Sequence, residues 1–561
     1  MIETFKRFRL QQKGLSCGKK RREREQTCLR EFFTSSPLMM GFLLGVFGML
    51  LGWLVLYRPG LGVPHVDEPF KAILVMALLF MGAFLHFSIT HPGCMEKNSR
   101  LLLVLSTLCL HLGLMKLVLI FVEDNLIAGH YRLLLIPYAL APMVLTLLMG
   151  RGQGIFAAVF ASLWGTLLLP ETKTLPWLAT SLCVGLITVA ASHGARKRQH
   201  ILRAGLLAGL ASFFLALLFD HLSSMRNFNG LSAASWRNLL GEGFVVVGVN
   251  LLTGIVISAV LPILESTFRL TTVGAWTELA DLNHPLLRRM TIEAPGTYHH
   301  SLMVANLAEA AAEAIGANAL MTRVCAYFHD IGKLKNPEYF IENQAPDNNP
   351  HDSMTPSMSA LVVISHVKDG VDLALRHKLN REIVDVIEQH HGNSLVLYFY
   401  QRAVARRDEL RALAAADKAH GTDVPEVEES TFRYPGPKAQ TREAAIISLA
   451  DSVESASRTL AKPTPARIEQ MVDSIVNSRI LDGQLDECDL TLGQLETVKK
   501  SFTNSLRSML HKRVSYDKSD AEEKGGGSKP ASDIPSQRAG GPRTTRFEVI
   551  RGTGGGKAGA A

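Results

Sequence analysis

Seven histidine and aspartate side chains in the second half of the chain have the types and spacing of a metal site. They stand in five short segments that otherwise have the apolar pattern of helices. The seven are His300, His329, Asp330, His366, His390, His391 and Asp451. Imidazole and carboxylate are the usual ligands of iron, manganese and zinc, and two cations that share a bridge need about six or seven such groups. Since each isolated polar group would destabilise an apolar helix face, the set favours a two-metal site over packing.

The spacing also indicates how two ions would share these ligands. His329 and Asp330 are adjacent, so on a helix their side chains project about 100° apart. The two oxygens of Asp330 can therefore touch two ions while His329 holds one of them. His390 and His391 precede Gly392, a residue typical of a helix end, where neighbouring side chains can converge. Two cations with a shared carboxylate also share a water, lower its pKa and present hydroxide for in-line attack on phosphorus. The predicted reaction is metal-assisted phosphoester hydrolysis.

Basic and aromatic residues near these segments are candidates for contact with a substrate. Lys333 follows His329 by one helical turn, and we predict it as a catalytic residue with Asp330, placed to meet a phosphate or the leaving oxygen. The predicted substrate contacts are Arg433, Tyr434, Lys438, Arg458 and Tyr398. For the basic residues the alternative is a solvated surface position. For Tyr398, whose ring could stack on a base of any type, the alternative is a place in the core.

The first half of the chain has the composition of a membrane protein. The 561-residue chain is 47% hydrophobic, and its mean hydropathy is positive, both high for a soluble enzyme. Apolar runs of about the 20 residues that a bilayer requires stand at 38–57, 71–90, 101–122, 132–149, 154–170, 175–192, 201–219 and 241–264. Basic residues fall in alternate loops on the side of the basic N-terminal tail. The positive-inside rule then places both termini and the helical domain in the cytoplasm.

Three other classes of protein are disfavoured. Seven scattered cysteines without a CxxC pair argue against a disulfide framework or a zinc ribbon. The net charge of +8 is concentrated in tails and linkers, so we predict no nucleic-acid polymer as a partner. Ionisable residues inside the spans are few, among them His86, His111 and Lys116, and no repeated broken-helix signal appears. A sensor or anchor is therefore favoured over a transporter or channel.

The predicted fold is all-α, a polytopic helical membrane bundle followed by an all-α domain. The predicted segments are a basic cytoplasmic tail (1–37), a transmembrane bundle of about eight spans (38–264), a linker helix (265–296), the helical domain (297–512) and a disordered tail (513–561). Two polar insertions interrupt the helical domain, a surface loop at 341–357 and a solvated helix or lid within 402–440. The linker suits three roles, namely transmitting movement of the bundle, pairing with its copy in a homodimer, or acting as a spacer. The sequence leaves these open.

Several motifs resemble a known family. HDIGK with its flanking histidines resembles the signature of the HD phosphohydrolase superfamily. The segments DLNHPLLRRMTIEAPGTYHHSLMVANLAEA, NPHD, HHGNSLVLYFY and FRYPGPKAQTREAAIISLADSVESASR resemble the seven-transmembrane-HD family of the PgpH type. The resemblance is close over 265–512 and looser over the bundle. It implies a phosphodiesterase of the bacterial inner (cell) membrane that hydrolyses cyclic di-AMP to pApA at a binuclear site of manganese or iron.

The resemblance also implies how the ligands are divided. The ligand of the first motif is His300 rather than His299, and one ion is held by His300, His329, Asp330 and Asp451. The second ion is held by His366, His390, His391 and the shared Asp330. One departure is that Tyr57 to Lys71 is a short loop, where many family members carry a large extracellular domain.

Two alternative functions remain at this stage. The first is an HD enzyme for another cyclic dinucleotide or nucleotide, such as cyclic di-GMP. The sequence GYP that marks the cyclic di-GMP branch does not follow His390 and His391, where GNSLVLYFY stands instead. The second is a membrane nucleotide receptor with little catalysis, which the complete ligand set disfavours.

Overall fold

The computed structural model describes most of the chain and bears out the all-α prediction. The described residues are 36–56, 69–90, 97–169, 171–219, 221–222, 233–345, 349–416, 426–460 and 463–511. Their regular secondary structure is helical, apart from one isolated bridge between Leu395 and Arg433. Most of both predicted tails and of the predicted loop from Tyr57 to Lys71 lies outside the described residues. The chain divides into two compact units, Met1–Ser508 and Met509–Ala561, and only residues 509–511 of the second are described.

The described residues of the first half form eight helices. They are α1 (Pro37–Leu56), α2 (Pro69–Thr90), α3 (Asn98–Glu123), α4 (Leu140–Met149), α5 (Arg151–Thr166), α6 (Glu171–Ser192), α7 (Arg198–Leu218) and α8 (Ala233–Phe268), with a 3-10 turn at Gly129–Tyr131. Six of them, all except α4 and α5, are long and apolar enough to cross a membrane. The protein is therefore a multi-pass membrane protein.

The other two predicted spans form shorter helices than the apolar runs suggest. The run 132–149 is α-helical only from Leu140, and α4 is buried along nearly all of its 10 residues. Gly150, with a φ of 99°, separates α4 from α5, since this left-handed region favours glycine and ends a helix. The count of eight crossings stays a prediction.

Small residues allow the last two bundle helices to pack closely. A Cβ atom at Gly205 would lie 2.8 Å from the carbonyl oxygen of Asn250, and one at Gly209 would lie 2.8 Å from the Cα atom of Val247. The backbones of α7 and α8 are therefore in direct contact, as small residues permit in membrane helices. The buried Asn250 side chain accepts a hydrogen bond from the backbone of Ala139 at 3.3 Å, which ties α8 to the start of α4.

The linker differs from the single helix that the sequence predicts. Helix α8 continues to Phe268, and the chain then turns at Arg269, whose φ is 53°. Two short helices follow, α9 (Val273–Leu279) and α10 (Pro285–Glu293). Thr272 caps α9 by accepting a hydrogen bond from the backbone of Ala275 at 3.2 Å. A threonine cap and a proline at the first helical position both mark helix starts, and they divide the predicted helix.

After the linker, the part of the domain that the structure describes forms eight further helices. They are α11 (Pro295–Ala314), α12 (Ala319–Phe328), α13 (Pro356–Arg376), α14 (Arg381–Gln389), α15 (Leu397–Ala416), α16 (Arg442–Ser457), α17 (Pro465–Leu481) and α18 (Leu492–His511), with 3-10 turns at Ile331–Lys335, Pro337–Tyr339, Ile341–Asn343, Pro350–Ser353 and Glu429–Phe432. The insertion at 341–357 is anchored rather than free at the surface. Its His351 side chain is buried and donates to the carbonyl of Tyr339 at 2.8 Å.

Candidate metal centre

The structure brings all seven predicted ligands together inside the helical domain. His300 lies on α11, His366 on α13 and Asp451 on α16. The pair His329 and Asp330 follows the end of α12, and the pair His390 and His391 follows the end of α14. Six of the side chains are at most 11% exposed, whereas His391 is 19% exposed and therefore lies nearest the mouth of the site.

Asp330 lies between two sets of imidazoles. Its Oδ1 atom is 3.4 Å from His366 Nε2 and 3.6 Å from His390 Nε2. Its Oδ2 atom is 3.3 Å from His329 Nε2 and 3.6 Å from His300 Nε2. Because the two oxygens of one carboxylate face different imidazoles, the residue has the orientation of a bridging ligand.

The ligand atoms fall into two groups, in each of which they lie within 4.8 Å of one another. One group contains Asp330, His366, His390 and His391, and the other contains His300, His329 and Asp451. The division is the same as the one that the family resemblance implies, with Asp330 in reach of both groups.

Backbone carbonyls orient three of the imidazole rings. The Nδ1 atom of His329 lies 2.7 Å from the carbonyl of Ala326, and the Nδ1 atom of His390 lies 2.9 Å from the carbonyl of Ile387. The Nδ1 atom of His366 lies 2.5 Å from the carbonyl of Val363. When Nδ1 donates to a carbonyl, Nε2 carries the lone pair that a metal ion requires. All three Nε2 atoms face the carboxylate of Asp330.

Two buried polar atoms test whether the centre fits a cation. His329 Nε2 and Asp330 Oδ1 are fully buried, and neither has a hydrogen-bond partner among the described residues. A buried polar atom without a partner costs about 1–3 kcal/mol. A divalent cation in each group would coordinate these atoms, and the set of imidazole and carboxylate donors is one that manganese, iron and zinc accept. The residues therefore fit a pair of divalent ions.

Electrostatics keep most ligands in the form that binds metal. Burial alone would raise the pKa of Asp330, but the charges of Lys333 and His329 outweigh it and hold that pKa well below its usual range. Burial lowers the pKa of His366 to about 4. Burial, aided by the neighbouring His390, also lowers the pKa of His391 well below its usual value. At neutral pH the carboxylate is ionised and these two imidazoles are neutral.

Two acidic residues near the centre, Glu454 and Glu342, were not predicted from the sequence. Glu454 Oε2 lies 2.5 Å from His300 Nδ1, while Asp451 Oδ1 lies 3.0 Å from His300 Nε2. Burial would lower the pKa of His300, but hydrogen bonds to the two carboxylates raise it to about 10. Glu454 stands three residues after Asp451, a spacing that places both on one helix face, so the sequence did contain this signal. Glu342 lies in the first insertion, and nothing in its surroundings in the sequence marks it.

Lys333 is held between two carboxylates. Its Nζ atom lies 2.8 Å from Asp330 Oδ2 and 2.8 Å from Glu342 Oε1, and the side chain is 13% exposed. Glu342 in turn accepts a hydrogen bond from the Thr297 hydroxyl at 3.0 Å. Lys333 therefore lies at the centre and contacts the predicted bridging carboxylate directly.

The other predicted substrate contacts lie in different surroundings. The ring of Tyr434 stacks on the ring of His391, with centroids 4.3 Å apart. Tyr398 is 66% exposed and packs edge-on against Phe399. Each predicted basic contact already has a carboxylate partner, namely Glu429 and Asp482 for Arg433, Asp486 for Lys438, and Glu454 for Arg458.

A multi-pass helical bundle followed by a helical domain with clustered histidines and aspartates defines a membrane-bound protein of the HD type. The family model described as "7TM receptor with intracellular HD hydrolase" matches residues 69–272, a range that holds α2 to α8. The family model described as "HD domain" matches residues 297–456, which include all seven ligands. Residues 69–272 therefore belong to the first of these families, and residues 297–456 belong to the second.

Characterised relatives agree with this assignment. The "Cyclic-di-AMP phosphodiesterase PgpH" of Bacillus subtilis (strain 168) is 36% identical over 461 residues, which cover 81% of this chain and 60% of that protein. The protein of the same name from Listeria monocytogenes serotype 1/2a (strain 10403S) is 36% identical over 422 residues, or 75% of this chain and 55% of the relative. The chain thus spans little more than half the length of these relatives.

A solved structure matches less than half of the chain. The crystal structure of the L. monocytogenes phosphodiesterase PgpH HD domain in complex with cyclic-di-AMP is 43% identical, and the match covers 41% of this chain and 100% of that one. The TM-score of the match is 0.37. The family assignment therefore rests on the sequence matches.

Proposed function

We propose that the protein is a membrane-anchored, metal-dependent phosphodiesterase that hydrolyses cyclic di-AMP to pApA. One observation carries the reaction class: the two oxygens of Asp330 face separate groups of metal-ligating side chains. The choice of substrate is supported by the names of the two PgpH relatives. A phosphodiester is also the substrate for which a pair of cations is best suited, because charge develops on several phosphoryl oxygens at once.

The proposed ligands are the seven residues of the two groups, and the proposed ions are manganese or iron. When bound, two such ions lower the pKa of water and neutralise the charge that develops on the phosphoryl oxygens. The protein's own part is to fix the ligand geometry. Carbonyls of α12, α13 and α14 orient three imidazoles, and Glu454 orients His300.

Lys333 is proposed as a catalytic residue beside Asp330. An ammonium group has three donors, and among the described residues Asp330 and Glu342 accept two of them. The third donor is available to a phosphate or leaving-group oxygen. Glu342 holds the Lys333 ammonium against Asp330, so Lys333 would orient this carboxylate as well as contact the substrate.

Among the proposed substrate contacts, Tyr434 has the strongest support because it stacks on the most exposed ligand, His391. Arg433, Lys438 and Arg458 would each exchange a carboxylate partner for a phosphate. The exposed ring of Tyr398 is free to stack on a base of either type.

The finer organisation is proposed on the same basis. The helical domain and both termini lie in the cytoplasm of a bacterium whose inner membrane holds the bundle, as the charge distribution of the loops indicates. The proposed segments are a bundle at 38–264, a linker at 265–296 and the HD domain at 297–512, and a homodimer through the linker is one arrangement that would pair two such domains.

The test is to reconstitute the full chain in lipid nanodiscs with Mn²⁺ and to supply cyclic di-AMP, cyclic di-GMP and the mixed dinucleotide in parallel. Mass spectrometry should show pApA from cyclic di-AMP, formed faster than the linear products of the other two dinucleotides and abolished by a chelator. Preference for cyclic di-GMP would replace the proposed substrate. Nucleotide binding by metal-loaded protein without any turnover would identify a receptor instead of an enzyme.

A further inference from the structure

Arg479, near the end of α17, is a basic residue with an unusual partner. Its Nη2 atom donates a hydrogen bond to the hydroxyl of Ser452 at 2.9 Å, and Ser452 donates to the carbonyl of Ser448 at 2.9 Å. No carboxylate pairs with the Arg479 side chain among the residues that the structure describes. A guanidinium has five N–H donors, so one neutral hydroxyl leaves both its charge and most of its donors available.

The other basic residues around the centre differ in this respect. Arg433 binds Glu429 at 2.7 Å, Lys438 binds Asp486 at 3.2 Å, and Lys333 binds two carboxylates. An anion that approaches one of these residues must displace or share a carboxylate. At Arg479 the anion would displace only the Ser452 hydroxyl, and it would be attracted by a positive charge that no carboxylate among the described residues neutralises.

One hydrogen bond and one electrostatic effect locate Arg479 near the metal centre. Its partner Ser452 directly follows the ligand Asp451, so their Cα atoms are about 3.8 Å apart. Burial raises the pKa of the Tyr434 hydroxyl, and the positive charges of Lys333 and Arg479 oppose that rise. Tyr434 in turn stacks on His391, the most exposed of the ligands. The guanidinium therefore lies near one ligand of each group.

The end of α17 is fixed relative to these ligands. Gln484 accepts a hydrogen bond from the backbone of Asn393 at 3.1 Å and donates one to the Asn393 side chain at 2.8 Å. Gly392, with a φ of 55°, leaves room for this contact, because a Cβ atom there would lie 2.3 Å from Gln484 Oε1. The segment after Arg479 is thus bonded to the turn after His391, which fixes the end of α17 beside the centre.

We propose that Arg479 binds a phosphate group of the diester substrate, with charge-assisted hydrogen bonds in place of its bond to Ser452. The planar guanidinium can present two donors to two phosphate oxygens. The identity of the ligand rests on the proposed function, whereas the presence of an anion site beside Asp451 does not.

The test uses the full chain, loaded with Mn²⁺, and compares Arg479→Gln, Arg479→Lys and the control Arg467→Gln. Arg467 lies on the same helix and is exposed. Two quantities are measured, the KM for cyclic di-AMP and the Kd of inorganic phosphate by calorimetry. We expect Arg479→Gln to raise this KM and this Kd about ten- to a hundredfold, because charged hydrogen bonds are lost. The kcat should change less than the KM. Arg479→Lys should fall in between, and Arg467→Gln should match the wild type.

Manganese content is determined for every variant by mass spectrometry. A KM and a phosphate Kd within twofold of the wild type in Arg479→Gln would overturn the proposal, and so would a loss of manganese from Arg479→Lys as well as Arg479→Gln. If the wild type cleaves no cyclic dinucleotide, the proposed function fails, and the phosphate measurement alone still decides whether Arg479 binds an anion.

Discussion

The carboxylate of Asp330 faces His366 with one oxygen and His329 with the other, at 3.4 and 3.3 Å. These two histidines belong to different ligand groups and come from helices that are separated in sequence by two 3-10 turns and an insertion. One side chain therefore connects the two halves of the centre. Any change at this position should affect both halves together, which gives the first prediction.

Replacing Asp330 by Asn keeps the shape of the side chain but removes its charge and one acceptor oxygen. We expect the variant to bind less than one manganese equivalent and to lose turnover by at least about a hundredfold, because both groups depend on this carboxylate. Metal analysis and product formation from the same sample provide the measurement. Full activity with a single bound ion would mean that the reaction does not use a bridged pair.

The adjacent histidines of the first motif offer a matched comparison. His300 is buried against Asp451 and Glu454, whereas its neighbour His299 is exposed. His300→Gln should lose about half of the bound manganese and most of the turnover, and His299→Gln should keep both. The same loss from both variants would point to a general disturbance of α11 rather than to a ligand.

Glu454 should control metal affinity without being a ligand. It contacts the ring nitrogen of His300 that faces away from Asp330, and Arg458 binds its other oxygen at 2.7 Å. Loss of such an orienting partner typically weakens metal binding about 10–100-fold. We expect Glu454→Gln to weaken one of two manganese binding steps by this factor, as measured by electron paramagnetic resonance titration. Glu469→Gln, at an exposed position of α17, is the control.

Without metal, the stability of the domain should be greatest near pH 6.5. The pKa of His366 is lowered from 6.5 to about 4 by burial, so the unfolded chain binds more protons as pH falls from 6.5 to 4, and stability falls by roughly 3 kcal/mol from this residue. The pKa of His300 is raised from 6.5 to about 10. Its contribution is complete below pH 6.5 and is lost as pH rises towards 10.

The measurement is the thermal unfolding midpoint of the chelator-treated protein as a function of pH. His366→Gln should flatten the acid side of the curve, and His300→Gln should flatten the alkaline side. A midpoint that rises steadily with pH in the wild type would contradict the assignment of these two histidines.

The sequence predicted which seven side chains lie together better than it predicted the connections around them. The seven ligands stand out because imidazole and carboxylate are rare in apolar helices, whatever the tertiary fold. Glu342 could not be found in this way, since it reaches Lys333 only because three consecutive 3-10 turns fold the chain back. The predicted linker helix at 265–296 is divided for a local reason: Arg269 has a positive φ, and Thr272 caps a new helix.

The linker also forms hydrogen bonds with the start of α14, the helix before His390 and His391. The Thr271 hydroxyl accepts a hydrogen bond from the Asn380 side chain at 3.1 Å and donates one to Glu382 at 3.4 Å. Asn380 directly precedes α14. This helix has 9 residues and ends at Gln389, directly before His390. A displacement at the end of α8 can therefore reach His390 and His391 through α14.

Replacing Thr271 by Val keeps the shape of the side chain and removes both hydrogen bonds. Each contributes about 0.5–1.5 kcal/mol to stability, so the unfolding midpoint should fall by a few degrees. We expect kcat of the reconstituted protein to fall about 2–10-fold. Thr277→Val is the control, because its hydroxyl bonds only to the carbonyl of Val273 within α9. A further comparison is the fragment that begins at residue 265. If α14 transmits the state of the bundle, Thr271→Val should lower turnover in the full chain but not in the fragment, and an equal loss in both would show that the contact only supports α14.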